Sequence, residues 1–296
     1  MKRQTNTLVF SAALALASFT ALLATSCTER QEGPETPLVK EAAPVVVPEA
    51  GDLYEIEIDG VSFRFRWCPP GAFAMGSPVT EKDRSGNEIL HDVTLTEGFW
   101  MLETETTQEM WDLFMWNNPS EFKGLSLPVE RVSWDACQEF ITKINGRGAT
   151  PPGTCFALPT EAQWEYACRA GTTTPFSWGD SLNGDKANCN GRFPYGTIVE
   201  GERLGKTTAV GSYDANPWGL FDMHGNVSEW CKDLWSPYPS EAVTDPCCES
   251  YSWTRVKRGG SFRNGAQFCR SAFRFNDSLV DQSVVGFRFV IVPQRY

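Results

Sequence analysis

Apolar and polar positions alternate strictly where the folded part of the chain begins. Segments 54–58 and 61–65 each place apolar side chains at every second position, and Asp59-Gly60 stands between them. A period of two on both sides of an Asp-Gly turn predicts a β-hairpin. Shorter apolar runs predict further strands over 73–76, around Val93 and Leu95, and over 99–102.

Three later stretches show a helical period instead. The first helix is expected to begin at Thr106 or Thr107, and the second follows Ser133 as its N-cap. The third follows Thr160, and Gln163 three positions later completes a capping box. These signals predict helices interspersed with strands.

Gly171 stands where a glycine is expected to end the third helix. Regular periodicity disappears from residue 170 onward, where Gly, Asn, Asp, Pro and Trp dominate. With 25 glycines and 11 tryptophans, the chain is typical of loops packed on aromatic side chains. No repeat or linker divides 51–296, so this segment is predicted to form one domain.

The N-terminus has the pattern of a targeting segment. Lys2 and Arg3 precede an uncharged apolar run over 8–24, and small residues then lead directly to Cys27. This order predicts a secretory signal peptide over 1–27. Its Ala-Thr-Ser-Cys ending resembles a bacterial lipobox, although Ala24 stands where Leu is usual. Plain cleavage and an uncleaved anchor are the alternatives to lipidation of Cys27.

Residues 28–50 are rich in Pro, Glu and Ala, a composition that cannot bury enough apolar surface to fold. We expect them to be a disordered tether that holds the domain off a membrane. Together with the lipid anchor, this predicts an extracytoplasmic location at the bacterial cell envelope. The net charge of −11 and the lack of a basic patch argue against a nucleic-acid partner.

Nine cysteines follow Cys27, and no Cys-x-x-Cys pair occurs among them. A zinc ribbon or a thioredoxin-like site is therefore unsupported. Export would permit disulfides, and an odd number leaves at least one thiol unpaired if all pairing is within the chain.

Seven segments, in order, resemble the sulfatase-modifying-factor family, also called the formylglycine-generating-enzyme family. They are GAFAMGS (71–77), ETTQ (105–108), LPVERVSW (127–134), LPTEAQWEYACR (158–169), WGLFDMHGNVSEW (218–230), RGGS (258–261) and GFR (286–288). The resemblance covers about residues 70 to 292. It implies an α+β, loop-rich fold that resembles a C-type lectin and contains little regular structure.

The resemblance also implies two structural calcium sites. One maps to Asp222, Gly225, Val227 and Glu229, and the other maps to Asn188, Cys189, Glu202 and Leu204. Calcium prefers six to eight oxygen ligands, drawn from carboxylates and carbonyls, and both sets can supply such oxygens. The alternative for the first set is a plain turn in which Glu229 accepts hydrogen bonds from backbone amides.

Active members of the family carry two copper-binding cysteines, three and eight residues after the serine of Gly-Gly-Ser. Those positions are Asn264 and Cys269 here, so one thiol remains of the pair that copper(I) prefers. The segment is also about three residues shorter than in active members, and Ser228 stands where they carry a tryptophan. We therefore expect no copper.

Cys269, Ser261 and Asn264 are nevertheless the candidates for any residual catalysis. The resemblance implies a different role for Cys269, a disulfide with Cys168. A pocket is expected beside these residues, and its further candidates are Ser228, Arg263, Arg274 and Arg288. The last two have an alternative as buried ion-pair partners.

Two functions remain open at this point. The first is a binding or assembly module that acts on envelope or exported proteins, or on an unknown ligand. The second is a formylglycine-generating or related oxidase acting on exported proteins. A three-histidine iron site, found in other members of this fold, is excluded because only His91 and His224 are present.

Overall fold

The computed structural model describes residues 47–249, 252–278 and 284–294. The predicted targeting segment with Cys27, and residues 28–46 of the predicted tether, lie outside them. The helices of the described part are α1 (Gln108–Asp112), α2 (Trp134–Asn145) and α3 (Glu161–Arg169). Its strands are β1 (Leu53–Ile58), β2 (Val61–Cys68), β3 (Gly71–Met75), β4 (His91–Leu95), β5 (Phe99–Leu102), β6 (Thr154–Ala157), β7 (Ser228–Leu234), β8 (Val243–Thr244), β9 (Thr254–Arg258), β10 (Phe275–Ser278), β11 (Val285–Gly286) and β12 (Val290–Pro293).

The predicted hairpin is confirmed as β1 and β2. The two strands pair antiparallel, and Ile58 lies opposite Val61. Asp59 and Gly60 form the turn with φ angles of 50° and 84°. Positive φ at both turn positions matches the right-handed twist of the flanking strands, which is why Asp-Gly fits there.

The three helices begin where their capping residues predicted. Thr107 accepts a hydrogen bond from the Met110 amide, and Thr160 forms the predicted capping box with Gln163. α3 ends at Arg169 and is followed by its cap Ala170 (φ 46°) and then by Gly171 (φ 87°), so the glycine stands just past the helix as predicted. α1 is a single short turn, and the buried Met115 lies beyond its end.

Three sheets organise the described residues. The largest has the order β1-β2-β5-β12-β6 and is antiparallel throughout. The second has the order β10-β9-β7-β11 and the third β3-β4-β8, each with one parallel pair. Six of these strands follow residue 227, where no periodicity predicted them. β7 is buried on both faces, so its sequence does not alternate.

The core divides between the sheets. One apolar cluster lies against the five-stranded sheet and contains Trp111 of α1 and Phe140 of α2, whose rings stack 5.6 Å apart. A second cluster surrounds Trp164 and packs α3 near β7 and β9. Full burial of each large side chain contributes about 2–3 kcal/mol. Residues 170–227 contain no helix or strand, and they contribute Leu220 and Met223 to this second cluster.

Across the described ranges, no helix is long and apolar enough to cross a membrane.

Candidate functional site

Two buried glutamates of α3 form ion pairs with three arginines. Glu161 accepts two hydrogen bonds from Arg274, at 2.7 and 2.5 Å, and another from Arg258 at 2.8 Å. Glu165 binds Arg258 at 2.5 Å and Arg169 at 2.8 Å. Burial alone would raise the pKa of Glu161, but Arg274 and Arg258 outweigh burial and hold it below its ordinary value. Arg274, expected beside an open pocket, is thus a buried ion-pair partner.

Arg288 is the second pocket candidate that the structure buries. Its guanidinium forms two hydrogen bonds of 2.7 Å to the two oxygens of Glu229. Trp164 donates a further hydrogen bond of 2.7 Å to Glu229 Oε2. Both carboxylate oxygens of Glu229 therefore accept hydrogen bonds from side chains. The two roles expected of Glu229 were a calcium ligand and an acceptor of backbone amides, and this arrangement differs from both.

Two further carboxylates lie near that pair. Glu105 accepts the Val227 amide at 2.9 Å and the Asn226 side-chain amide at 2.6 Å, which holds the turn in place. Burial raises the pKa of Glu105 well above its ordinary value, and Asp222 and Glu229 raise it further. Burial likewise raises the pKa of Asp222, to about 6. Three carboxylates thus share this interior with one guanidinium.

The two predicted calcium segments lie directly against each other. The Asn226 amide donates to the Asn188 carbonyl at 2.8 Å. Gly225 has a φ of 100°, and a Cβ at this position would lie 2.5 Å from the same carbonyl. Only glycine allows this approach, which explains the Gly-Asn sequence of the turn.

Asn188 has an unusual side chain in this contact. Its Nδ2 donates to the Lys206 carbonyl at 2.9 Å and to Asn226 at 3.1 Å, whereas its Oδ1 is buried and accepts no hydrogen bond. A buried acceptor without a donor is destabilising unless something else binds it. This oxygen is of the type that a hard cation binds, so Asn188 fits the ligand role predicted for it.

Two of the three remaining ligands predicted for this segment are exposed, and the third, Cys189, is buried. Glu202 is exposed, and its carbonyl accepts the Gly191 amide at 3.0 Å. Leu204 is also exposed. No group of three or more His, Cys, Asp or Glu side chains within the described residues is arranged to hold a metal ion. Both predicted sites would draw half of their ligands from backbone carbonyls.

The segment after Gly-Gly-Ser forms a tight turn. The Ser261 hydroxyl donates to Asn264 Oδ1 at 2.6 Å, and the Asn190 amide donates to the Asn264 carbonyl at 2.8 Å. Arg263 is exposed and contacts Glu121 at 3.2 Å. Ser228 is buried at the start of β7, where its amide binds the Val284 carbonyl. The expected pocket residues are thus dispersed between surface and interior.

Cys269 and Cys168 are both free thiols in the structure, so the bridge expected between them is not formed. Cys269 is fully buried and belongs to the same apolar cluster as Cys189. The neighbouring Cys189 thiol, followed by burial, raises the pKa of Cys269 well above its ordinary value. Cys168 lies 3.6 Å from His224 Nε2 instead.

His224 is a buried hydrogen-bonding residue. Its Nε2 accepts the Ser177 amide at 3.2 Å, and its Nδ1 faces the Cys269 carbonyl at 2.7 Å. Burial lowers the pKa of His224 to about 4. These partners assign the proton of the neutral ring to Nδ1.

An open groove of about 550 Å³ lies beside the 3₁₀ turn Ala266–Cys269. Its walls include Arg84, Arg192, Phe193 and Phe268. Phe193 is 61% exposed, which is unusual for a large apolar side chain. Neither Ser261 nor Asn264 lines the groove.

Sequence reasoning assigned no role to Glu105, Glu161 and Glu165. Each is a buried acid within a quoted motif, but a charged residue is expected at the surface unless it has a partner. The partners come from distant segments, since Glu105 and Val227 are 122 positions apart. An acid inside a motif together with unexplained arginines is the signal that could have identified them.

The sequence of the chain is similar to those of several known proteins. Residues 64–292 match the model of the sulfatase-modifying factor enzyme 1-like domain. A formylglycine-generating enzyme of Streptomyces coelicolor is 38% identical over 149 residues, 48% of this chain and 44% of that protein. A protein of Paenibacillus barcinonensis named chaperone protein LppX is 30% identical over 210 residues, 58% of this chain and 71% of that protein. The chain thus spans less than half of the Streptomyces relative.

Solved structures share the fold. Treponema denticola variable protein 1 superposes with a TM-score of 0.68 at 24% identity, covering 84% of this chain and 99% of that chain. PvdO from Pseudomonas aeruginosa gives a TM-score of 0.69 at 24% identity, with 83% and 99% coverage. The fold is accordingly α+β and loop-rich, as expected.

Proposed function

Since the chain belongs to the family of sulfatase-modifying factor enzyme 1-like domains, we propose that it is a non-catalytic member. In this proposal it is a lipid-anchored protein on the extracytoplasmic side of a bacterial envelope, where it binds exported proteins or assists their assembly. The chaperone name of the Paenibacillus relative supports a role in handling other proteins.

One observation carries the proposal: the side chains at the two positions that the resemblance assigns to copper are engaged within the chain. Asn264 accepts a hydrogen bond from Ser261, and Cys269 is buried in one apolar cluster with Cys189. An amide oxygen is a poor ligand for copper(I), and the remaining thiol does not face the open groove.

Copper(I) binding together with oxidation of a Cys-x-Pro-x-Arg peptide tests the lack of catalysis. The purified chain should bind no stoichiometric copper(I) and produce no aldehyde. A catalytically active relative, such as the Streptomyces coelicolor enzyme, serves as the positive control. Tight stoichiometric copper binding with aldehyde formation would establish the alternative, a formylglycine-generating oxidase.

Lipid anchoring is tested separately. Metabolic labelling with a radioactive fatty acid should label the chain and not the variant Cys27→Ser. The pattern of Lys2, Arg3 and the small residues before Cys27 supports this expectation. A chain that is exported and cleaved but unlabelled would support plain signal-peptide processing instead.

We propose the groove beside the 3₁₀ turn as the binding surface. Arg192 and the exposed ring of Phe193 would suit a segment that carries acidic and aromatic side chains. A photo-crosslinking amino acid at Phe193 should capture exported proteins in the producing cell. The same probe at Trp116, which is 92% exposed elsewhere, is the control. Equal capture at both positions would count against the groove.

We also propose one structural calcium ion, at Asn188. The orphaned Oδ1 supports it. In this proposal the carbonyls of Cys189 and Leu204 and an oxygen of Glu202 complete the ligand set. The other predicted set fits less well, because Glu229 is already bound by Arg288 and Trp164.

A further inference from the structure

We propose that Cys189 and Cys269 form an intrachain disulfide, and that this bond is the native state of Cys269. The proposal rests on the proposed function in one respect, because export supplies the oxidising surroundings in which such bonds persist. The geometry that brings these two cysteines together is local.

The two cysteines are held together by the backbone around them. Cys189 is followed by Asn190, which forms an isolated parallel bridge with Gly265. The Ala266 amide donates to the Phe193 carbonyl at 3.0 Å, which fixes the same two segments a second time. Both side chains also belong to one buried apolar cluster.

A glycine makes room for the sulfur of Cys269. Gly260 has a φ of 71°, and a Cβ there would lie 2.7 Å from Cys269 Sγ. Gly260 is the second glycine of Gly-Gly-Ser, so the motif that precedes the turn also admits the sulfur.

Cys168 is separated from Cys269 by an imidazole. The His224 ring contacts the Cys168 sulfur at 3.6 Å and the Cys269 carbonyl at 2.7 Å. Ser271 Oγ lies 3.6 Å from Cys168 on another side. A Cys168–Cys269 bond would have to displace that ring and break its hydrogen bonds.

The surroundings favour a neutral bond over a metal thiolate. Cys189 and Cys269 belong to an apolar cluster, whose other members are Phe176, Leu182, Ala187, Tyr195 and Ala266. A bis-thiolate copper site would leave net negative charge in that cluster, whereas a disulfide carries none.

The bond forms by thiol–disulfide exchange. The two thiols lose two protons and two electrons, and a small-molecule disulfide such as oxidised glutathione accepts them and leaves as two thiols. Both cysteines are less than 2% exposed. The exchange therefore takes place during folding, before the cluster closes.

The test is refolding of the full purified chain in a glutathione redox buffer, followed by alkylation and non-reducing peptide mapping. We expect one linked peptide pair, Cys189 with Cys269, both in the unaltered chain and in Cys168→Ser. Cys189→Ser should show neither this link nor a substitute link to Cys168.

Stability provides a second readout on the same samples. Oxidation should raise the Tm by roughly 5–10 °C in the unaltered chain and in Cys168→Ser. The Tm of Cys189→Ser should not change on oxidation. A Cys168–Cys269 link, or alkylation of both Cys189 and Cys269 after oxidative refolding, would overturn the proposal. Because refolding in vitro does not involve export, that failure is distinct from a failure of lipid labelling.

Discussion

Arg288 and Glu229 are joined by two hydrogen bonds of 2.7 Å in a site where both side chains are at most 1% exposed. Arg288 additionally donates to the Phe221 carbonyl at 2.9 Å, so one guanidinium connects β7 to the loop before the Asp222 turn. The final GFR segment and the Gly-Asn turn are thereby coupled through a single pair.

Arg288→Met should lower the free energy of unfolding by about 3–5 kcal/mol, because it leaves the Glu229 carboxylate buried without its partner. Urea unfolding measures the loss. The control is Arg64→Met, since Arg64 pairs with Glu103 but is about half exposed, and it should lose no more than about 1 kcal/mol. If both variants lost the same free energy of unfolding, the buried pair would stabilise the fold no more than the exposed pair does.

Calcium should stabilise the chain through Asn188. At a calcium concentration about 100-fold above Kd we expect the Tm to rise by roughly 5–10 °C over that in a chelator. Asn188→Ala should abolish the rise, and Glu229→Gln should retain it even if its starting Tm is lower. Asn183→Ala, in the same segment, is the matched control. A rise that disappears in Glu229→Gln and persists in Asn188→Ala would assign the ion to the other set.

Gly225→Ala should be much more destabilising than Gly171→Ala. Both glycines have positive φ, so both substitutions introduce backbone strain of about 1 kcal/mol. Only at Gly225 would the new Cβ meet a carbonyl, that of Asn188 at 2.5 Å, whereas Gly171 has open space. Thermal unfolding of the two variants should therefore differ by several degrees. Similar Tm values would show that the two loops can separate freely.

Asp233 should make the chain less stable as pH rises. Burial, followed by the charge of Glu161, raises the pKa of Asp233 to about 7, against hydrogen bonds from the Cys248 and Glu161 amides and the nearby Arg274. The folded state therefore binds a proton more tightly than the unfolded chain. The contribution of Asp233 to the free energy of unfolding is complete below about pH 4 and is lost as pH rises through 7.

The expected slope is as much as about 1.4 kcal/mol per pH unit between those limits. Urea unfolding at several pH values should show that Asp233→Asn removes this component. Asp180→Asn, at an exposed position, should leave the slope as it was. An unchanged slope in Asp233→Asn would mean that other groups set the pH dependence.

The elements with local signals could be predicted from the sequence, and those without could not. The β1–β2 hairpin and the cap at Thr160 follow from the residues that form them. β7 and β12 are buried, and their pairing depends on partners far along the chain. No local pattern encodes such pairing, so the C-terminal strands were missed.

The candidate site shows the same division. The sequence located the turn around Gly225 and the position of Asn264, because family motifs mark both. It did not locate the partner of Glu229, since Arg288 lies 59 positions away and the motif that contains it carries no sign of the contact. The neighbour of Cys269 was missed for a similar reason, as Cys189 lies in a segment without regular structure.

Residues 170–227 lie between α3 and β7 without a helix or strand of their own. They are attached to the rest of the described chain by separate hydrogen bonds, such as those from the Asn190 amide to the Asn264 carbonyl and from the Val210 amide to the Ser126 carbonyl. Between such anchors the side chains take no part in the three sheets. Evolution can therefore exchange or lengthen these stretches while the frame stays intact, so descendants of one ancestor can acquire different recognition surfaces at little risk to folding.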